Sequence, residues 1–148
     1  MAPQAALIET LFGEIVSHIA EDDESAKVKD GAWRYWRRVA KGQSYPIYLR
    51  EKIGPDGAGS PEQVVLDLNV LAAGKPFLGI GAFETSPDGT RLMYSTDETG
   101  FRQYDLRVRD MATGTETAEV IPKTTAAAWT ADGKTVFYVV EDAAKRPY

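Results

Sequence analysis

The chain has 148 residues, with 17 basic and 22 acidic side chains and a formal net charge of −5. That suits one domain and argues against a general nucleic-acid binder, which carries a net basic face. It has no cysteine and one histidine, His18, which excludes disulfides, thiolate nucleophiles, cysteine-bound metal centres and any multi-histidine site within one chain.

From Gln4 to Ile19, the apolar residues Leu7, Ile8, Leu11, Phe12, Ile15, Val16 and Ile19 recur at steps of three and four. This spacing predicts an amphipathic α-helix. Pro3 suits its first turn, and the acids from Glu21 to Glu24 mark its exit. Residues 1–25 therefore read as an N-terminal helix and acidic loop. Asp22, Asp23 and Glu24 are too few for calcium, which takes about six to eight oxygen ligands, so they read as a solvated loop. No apolar run approaches the roughly 18–20 residues of a membrane span. No basic stretch followed by an apolar core marks a leader, and a cytoplasmic location is expected.

Between residues 31 and 52 the bases Arg34, Arg37, Arg38, Lys41, Arg50 and Lys52 outnumber the single acid Glu51. They alternate with Trp33, Tyr35, Trp36, Tyr45 and Tyr48. Nucleic-acid surfaces mix cations and rings in this way, but the acidic flanks would repel phosphate. The expected reading is a strand pair with aromatic side chains on one side and charges on the other.

Short segments rich in β-branched and aromatic residues follow: Trp33–Val39, Tyr45–Glu51, Gly79–Thr85, Arg91–Thr96, Tyr104–Asp110, Glu116–Ile121, Thr125–Thr130 and Thr135–Val140. Turn signals separate them, among them Asp30-Gly31, Asp88-Gly89, Thr113-Gly114 and Asp132-Gly133. A short helix is expected over Leu66–Ala73, ended by Gly74.

The strands repeat. An offset of 44 carries Asp88, Gly89, Tyr94 and Tyr104 onto Asp132, Gly133, Tyr138 and Tyr148; an offset of 58 carries Asp30, Gly31 and Gly42 onto Asp88, Gly89 and Gly100. A four-stranded unit of roughly 40–45 residues is the period of a β-propeller blade. The expected fold is mainly β: antiparallel four-stranded blades, about two and a half of them, preceded by the amphipathic helix. The partial propeller spans 26–148, with blades at about 26–70 and 78–122 and an incomplete third at 125–148. Propellers have about four to eight blades, so the chain is expected to be the front part of a longer protein.

The runs Lys41-Gly-Gln-Ser-Tyr-Pro-Ile-Tyr48, Gly81-Ala-Phe-Glu-Thr-Ser-Pro-Asp-Gly89 and Tyr94-Ser-Thr-Asp-Glu-Thr-Gly-Phe-Arg-Gln-Tyr104 resemble the N-terminal part of the oligopeptidase B family. That family, also called protease II, lies within the prolyl oligopeptidase family of serine peptidases. The resemblance runs from about Ile15 to Tyr148. It implies a seven-bladed propeller set over an α/β-hydrolase domain, which cleaves peptides after Arg or Lys with a Ser, Asp and His triad. The propeller restricts entry to peptides. The helix at Gln4–Ile19 lies where an N-terminal segment packs on the hydrolase domain.

The chain itself has no Gly-x-Ser-x-Gly elbow. The nearest string, Gly42-Gln-Ser44-Tyr-Pro46, has proline for the second glycine and lies in a hairpin loop. His18, the single available base, has no serine dictated for it and reads as a surface residue, so a Ser–His–Asp order is not assured. Residues 74–81 are glycine-rich but lack the Gly-Lys-Ser/Thr ending of a phosphate loop. No triad or specificity-pocket residue of the family matches a position here. The expectation is therefore no catalytic, cofactor-binding or metal residue, no cofactor, and no nucleic-acid or membrane partner. Partners are peptide substrates through the whole protein, the hydrolase domain, and further copies of the chain. A stand-alone small hydrolase, esterase or peptide-binding module is the alternative. The loop Thr99–Tyr104 reads as a connector in which Gly100 bends and Phe101 plugs against a neighbouring blade, or as an interdomain contact through Arg102 and Gln103.

Overall fold

The structure, a computed structural model, describes residues 2–17, 23–144 and 146. His18, Ile19 and Asp22 lie outside the described residues, as does Tyr148 of the repeat. Helix α1 (Ala2–Ser17) forms where the three-and-four spacing predicts it. Its apolar stripe is bare, with Leu7, Ile8, Leu11, Phe12 and Ile15 between 48% and 67% exposed.

The first sheet holds β1 (Asp23–Glu24), β2 (Val28–Asp30), β3 (Trp33–Val39), β4 (Ile47–Lys52) and β5 (Gln63–Asp67). All pairings are antiparallel. β1 and β2 are two pieces of one interrupted edge: β1 pairs with β3 at Asp23↔Val39, and β2 pairs with it at Asp30↔Trp33. The short helix α2 (Leu68–Ala72) begins later than its spacing suggests. Leu66 and Asp67 are still paired to β4, as Tyr48↔Leu66 and Ile47↔Asp67. The Asp67 carboxylate then caps the helix by accepting from the Asn69 amide at 2.8 Å, as N-cap carboxylates do.

The second sheet has the order β10-β9-β8-β7-β6, again antiparallel throughout. Its strands are β6 (Gly79–Thr85), β7 (Arg91–Asp97), β8 (Tyr104–Asp110), β9 (Ile121–Trp129) and β10 (Val136–Val140). Here one expectation fails. Glu116–Ile121 and Thr125–Thr130 are not separate strands; β9 runs through both the end of one and most of the other, and Glu116 makes only an isolated bridge with Arg109. No turn pair separates the two segments. Lys123 adopts φ +56°, a local kink that lets β9 pair with β8 through Ile121 and Thr124 and with β10 through Thr124–Trp129. Such kinks re-aim a strand without ending it.

The sheets bury a shared core. Val65 and Leu66 of β5, Leu68 of α2, Leu78, Leu92 and Tyr94 of β7, and Met111 form one cluster, and Leu66 and Leu92 are wholly inaccessible. The Tyr48 and Phe83 rings meet across it at 4.3 Å. Each such side chain contributes about 1.5–3 kcal/mol when fully buried. The expected separation of rings from charges is not found. Successive side chains of a strand alternate faces, so Trp33, Tyr35 and Arg37 share one face of β3 and Arg34, Trp36 and Arg38 the other. Each face mixes both kinds. Arg50 lies 3.8 Å from the Trp33 ring centroid and Lys27 4.2 Å from that of Trp36.

Candidate functional site

The junction between the sheets is built from a buried cation. Arg50 is 3% exposed. Its Nη1 donates to the Gly89 carbonyl at 2.6 Å and its Nε to Gln63 Oε1 at 2.8 Å. Gln63 Nε2 donates onward to the Met111 carbonyl at 2.7 Å. The first sheet thus grips the Asp88-Gly89 turn of the second. Gly89 has φ +69°, and a Cβ there would lie 2.8 Å from Trp33 Nε1, so both conformation and space require glycine.

The same grip recurs one turn later. Arg91 stacks near Trp129 and donates to the Gly133 carbonyl at 2.9 Å. The two turns share their framework, except that Asp88 also accepts from the Thr90 hydroxyl at 2.8 Å, where Lys134 has none to offer. Asp88 Oδ1 accepts from Ser86 Oγ at 2.6 Å and the Thr90 amide at 3.0 Å. Asp132 Oδ1 accepts from Thr130 Oγ1 at 2.6 Å and the Lys134 amide at 3.0 Å. The 44-residue repeat is therefore a repeat of hydrogen bonds. Those from Ser86 and Thr90 hold the Asp88 carboxyl down to about 2, and Thr130 and Lys134 lower that of Asp132. The Asp30-Gly31 turn differs, since β2 and β3 leave only Gly31 and Ala32 between them.

The β7–β8 loop is organised by Asp97, 2% exposed. Its Oδ1 accepts from the Thr99 amide at 2.8 Å and Thr99 Oγ1 at 2.6 Å, and its Oδ2 from the Arg102 amide at 2.7 Å. Burial alone would raise the pKa of this carboxyl, but the bonds from Thr99, Arg102 and Gly100 outweigh it and hold it below the usual range. Gly100 and Arg102 both adopt positive φ, +78° and +59°. Phe101 is 76% exposed, so among the described residues it plugs against no neighbouring strand.

No nucleophile–base pair forms among the described residues, which include no histidine. Ser44 stands in the loop before β4 rather than in a strand–turn–helix elbow. The Tyr94 hydroxyl donates to Glu116; burial and that carboxylate push the phenol pKa up. Glu24 pairs with Arg38 at 2.8 Å, and no group of three or more metal-ligating side chains occurs among the described residues. Part of the basic block is paired internally: Arg34 shares Glu51 with Lys27, and Arg38 also pairs with Glu62. An open apolar pocket of about 250 Å³ lies beside Tyr35, Trp36, Tyr48 and Phe83. Of the residues that carry this architecture, Gln63 does not stand out in the sequence, Arg91 is there only as the start of a strand, Arg50 only as one base of the basic block, and Asp97 only within the run Tyr94–Tyr104. The one signal is Asp97 two residues before Thr99, the spacing of an Asx-turn.

Antiparallel sheets that share a core, with a turn and a cationic grip that recur along the chain, are the pattern of β-propeller blades. All 148 residues match the family described as the prolyl oligopeptidase N-terminal β-propeller domain, and the chain belongs to that family. It is 37% identical to dipeptidyl aminopeptidase BI of Pseudoxanthomonas mexicana over 96% of its own length and 21% of that protein. It is 27% identical to protease 2 of Moraxella lacunata over 99% of its length and 22% of that protein. It superposes on oligopeptidase B from Leishmania major with a TM-score of 0.83 at 31% identity, covering 99% of this chain and 21% of the other. Against oligopeptidase B from Trypanosoma brucei, with covalently bound antipain in its closed form, the TM-score is 0.79 at 33% identity, over 95% and 20%. The chain spans about a fifth of the length of these relatives and corresponds to the N-terminal propeller region of oligopeptidase B-like peptidases. No helix among the described residues is long and apolar enough to cross a membrane.

Proposed function

We propose that these residues form the first part of the gating propeller of an oligopeptidase B-like serine peptidase. In the whole protein, peptides are cleaved after Arg or Lys by a separate α/β-hydrolase domain, and the propeller admits peptides while excluding folded proteins. The superposition on the Leishmania major enzyme over 99% of the chain carries this reading. The grips at Gly89 and Gly133 support it, because a wall that selects by size must hold its blades in fixed register. Blades at 26–70, 78–122 and 125–148 belong to the same reading. The bare stripe of α1 supports its docking on the hydrolase domain. The T. brucei relative has a closed form, and the whole protein here closes in the same sense. The catalytic triad lies in the hydrolase domain and this chain contributes no catalytic, cofactor-binding or metal residue; the compartment is the cytoplasm, which cell fractionation would test.

Purified alone, the chain should neither turn over an arginyl chromogenic peptide nor take up a fluorophosphonate serine probe, while the full-length protein should do both. Turnover by the isolated chain with a labelled serine would overturn this and favour a stand-alone hydrolase. Alone, its exposed α1 stripe and Phe137, which is 70% exposed, support association into homo-oligomers. The 37% identity to a protein named dipeptidyl aminopeptidase favours one variant reading, in which the whole enzyme removes dipeptides from free N-termini. Loss of cleavage on N-acetylation of the substrate would select it.

A further inference from the structure

The two sheets present one common end, and their register identifies it. Trp33, at the start of β3, abuts Gly89 in the turn before β7, so β3 and β7 begin side by side. Their far ends, Val39 and Asp97, lead into the β3–β4 and β7–β8 loops at the opposite end. β1 pairs at Asp23↔Val39, so the chain arrives from α1 at this same loop end. Six peptide steps separate Ser17 from Asp23, a span of at most about 21 Å. The C-terminal end of α1 therefore lies within that distance of the loop end, and a body that covers the bare stripe is within reach of it.

Phe101 waits there, 76% exposed, on a loop that is held rather than slack. The loop is fixed by a buried carboxylate with bonds to Thr99 and Arg102. It also holds Arg102 at φ +59°, a region that non-glycine residues seldom occupy. A loop fixed in this way to keep a phenyl ring in water is organised before it meets its partner, which lowers the ordering cost of contact. Arg102 and Gln103 beside the ring are exposed. We propose that Phe101, flanked by Arg102, is a preformed docking knob for the peptidase domain of the full-length protein, seated in an apolar socket with an acidic rim when the domains close. This rests on the peptidase reading above.

The test uses the full-length protein with Phe101→Cys, and Thr113→Cys as a control in the turn after β8 at the opposite end. The segment has no cysteine of its own. Maleimide labelling at each position is followed by mass spectrometry, with and without a covalent arginal inhibitor. Labelling at position 101 should slow at least tenfold when the inhibitor is bound, and labelling at position 113 should not change. Equal rates at 101 in a fully inhibited enzyme would overturn the docking knob and leave the peptidase reading standing. A full-length protein that the inhibitor neither binds nor silences would overturn that reading, and the knob with it. Phe101→Ser should lower kcat/KM about threefold to tenfold and Phe101→Tyr should restore it; an unchanged kcat/KM in the serine variant would count against the knob.

Discussion

Asp97 is a carboxylate buried in order to shape a loop. Removing it takes the acceptor from the Thr99 and Arg102 amides and the Thr99 hydroxyl, and hydrogen bonds to a charged group contribute about 1.5–3 kcal/mol. Asp97→Ala should therefore lower the unfolding free energy by about 2–3 kcal/mol in urea titrations, and Asp97→Asn, which keeps one acceptor oxygen, by about 1 kcal/mol. Proton linkage follows from the same group of turns. Asp88, Asp97, Asp110 and Asp132 all titrate below their ordinary value of 3.8 when folded. A depressed carboxyl contributes fully above its unfolded pKa and loses that contribution as pH falls through its folded value. Stability should be level above about pH 5 and fall between roughly pH 4 and 2. Asp88→Asn should flatten that acid limb; a urea midpoint equally steep in acid with the variant would show that the turn carboxylates do not set it.

At the scale of elements, the inter-sheet grip does what no single strand does. Arg50→Met would keep the packing volume but strip the Gly89 carbonyl and Gln63 of their donor. The expected loss is about 3 kcal/mol by thermal or urea unfolding. Gly89→Ala must place a methyl group against Trp33 Nε1 in a left-handed conformation, which alone costs about 1–2 kcal/mol; a loss of at least about 2 kcal/mol is expected. A stable Gly89→Ala variant would mean that the turn can move away from the first sheet. The sequence shows the turns because their chemistry is local: an aspartate two residues after a hydroxyl, a glycine directly after it, and the same spacing 44 residues later. It shows β6, β7 and β8 to within a residue for the same reason. It hides β2, which is three residues long, and β5, whose apolar run continues into α2 without a break. It hides the continuity of β9, which depends on one positive φ at Lys123. The grip itself is invisible, because Arg50 and Gly89 meet across 39 positions and composition alone reads an arginine among aromatics as surface. The interdomain reading of the β7–β8 loop was legible as one of two; only the exposure of Phe101 separates them.

Across the whole molecule, a well-packed centre coexists with uncovered margins. The core between the sheets is closed, whereas five apolar side chains of α1 and Phe137 of β10 face water. Monomeric proteins seldom leave a contiguous apolar stripe of this kind open, and an uncovered one drives association. The association should be separable from folding, because the stripe contributes nothing to the core described above. Leu11→Glu together with Phe12→Glu places charges in the middle of the stripe, where each residue is about half or more exposed. Exposed substitutions of this type change stability within about 0.5 kcal/mol. The unaltered chain should show a mass that rises with concentration in light scattering. The double variant should remain a monomer over the same range, with the same urea midpoint. A parent chain that stays monomeric throughout would show that α1 covers itself in solution. A double variant that still associates would shift the burden to the second sheet, where Phe137→Glu is the corresponding change.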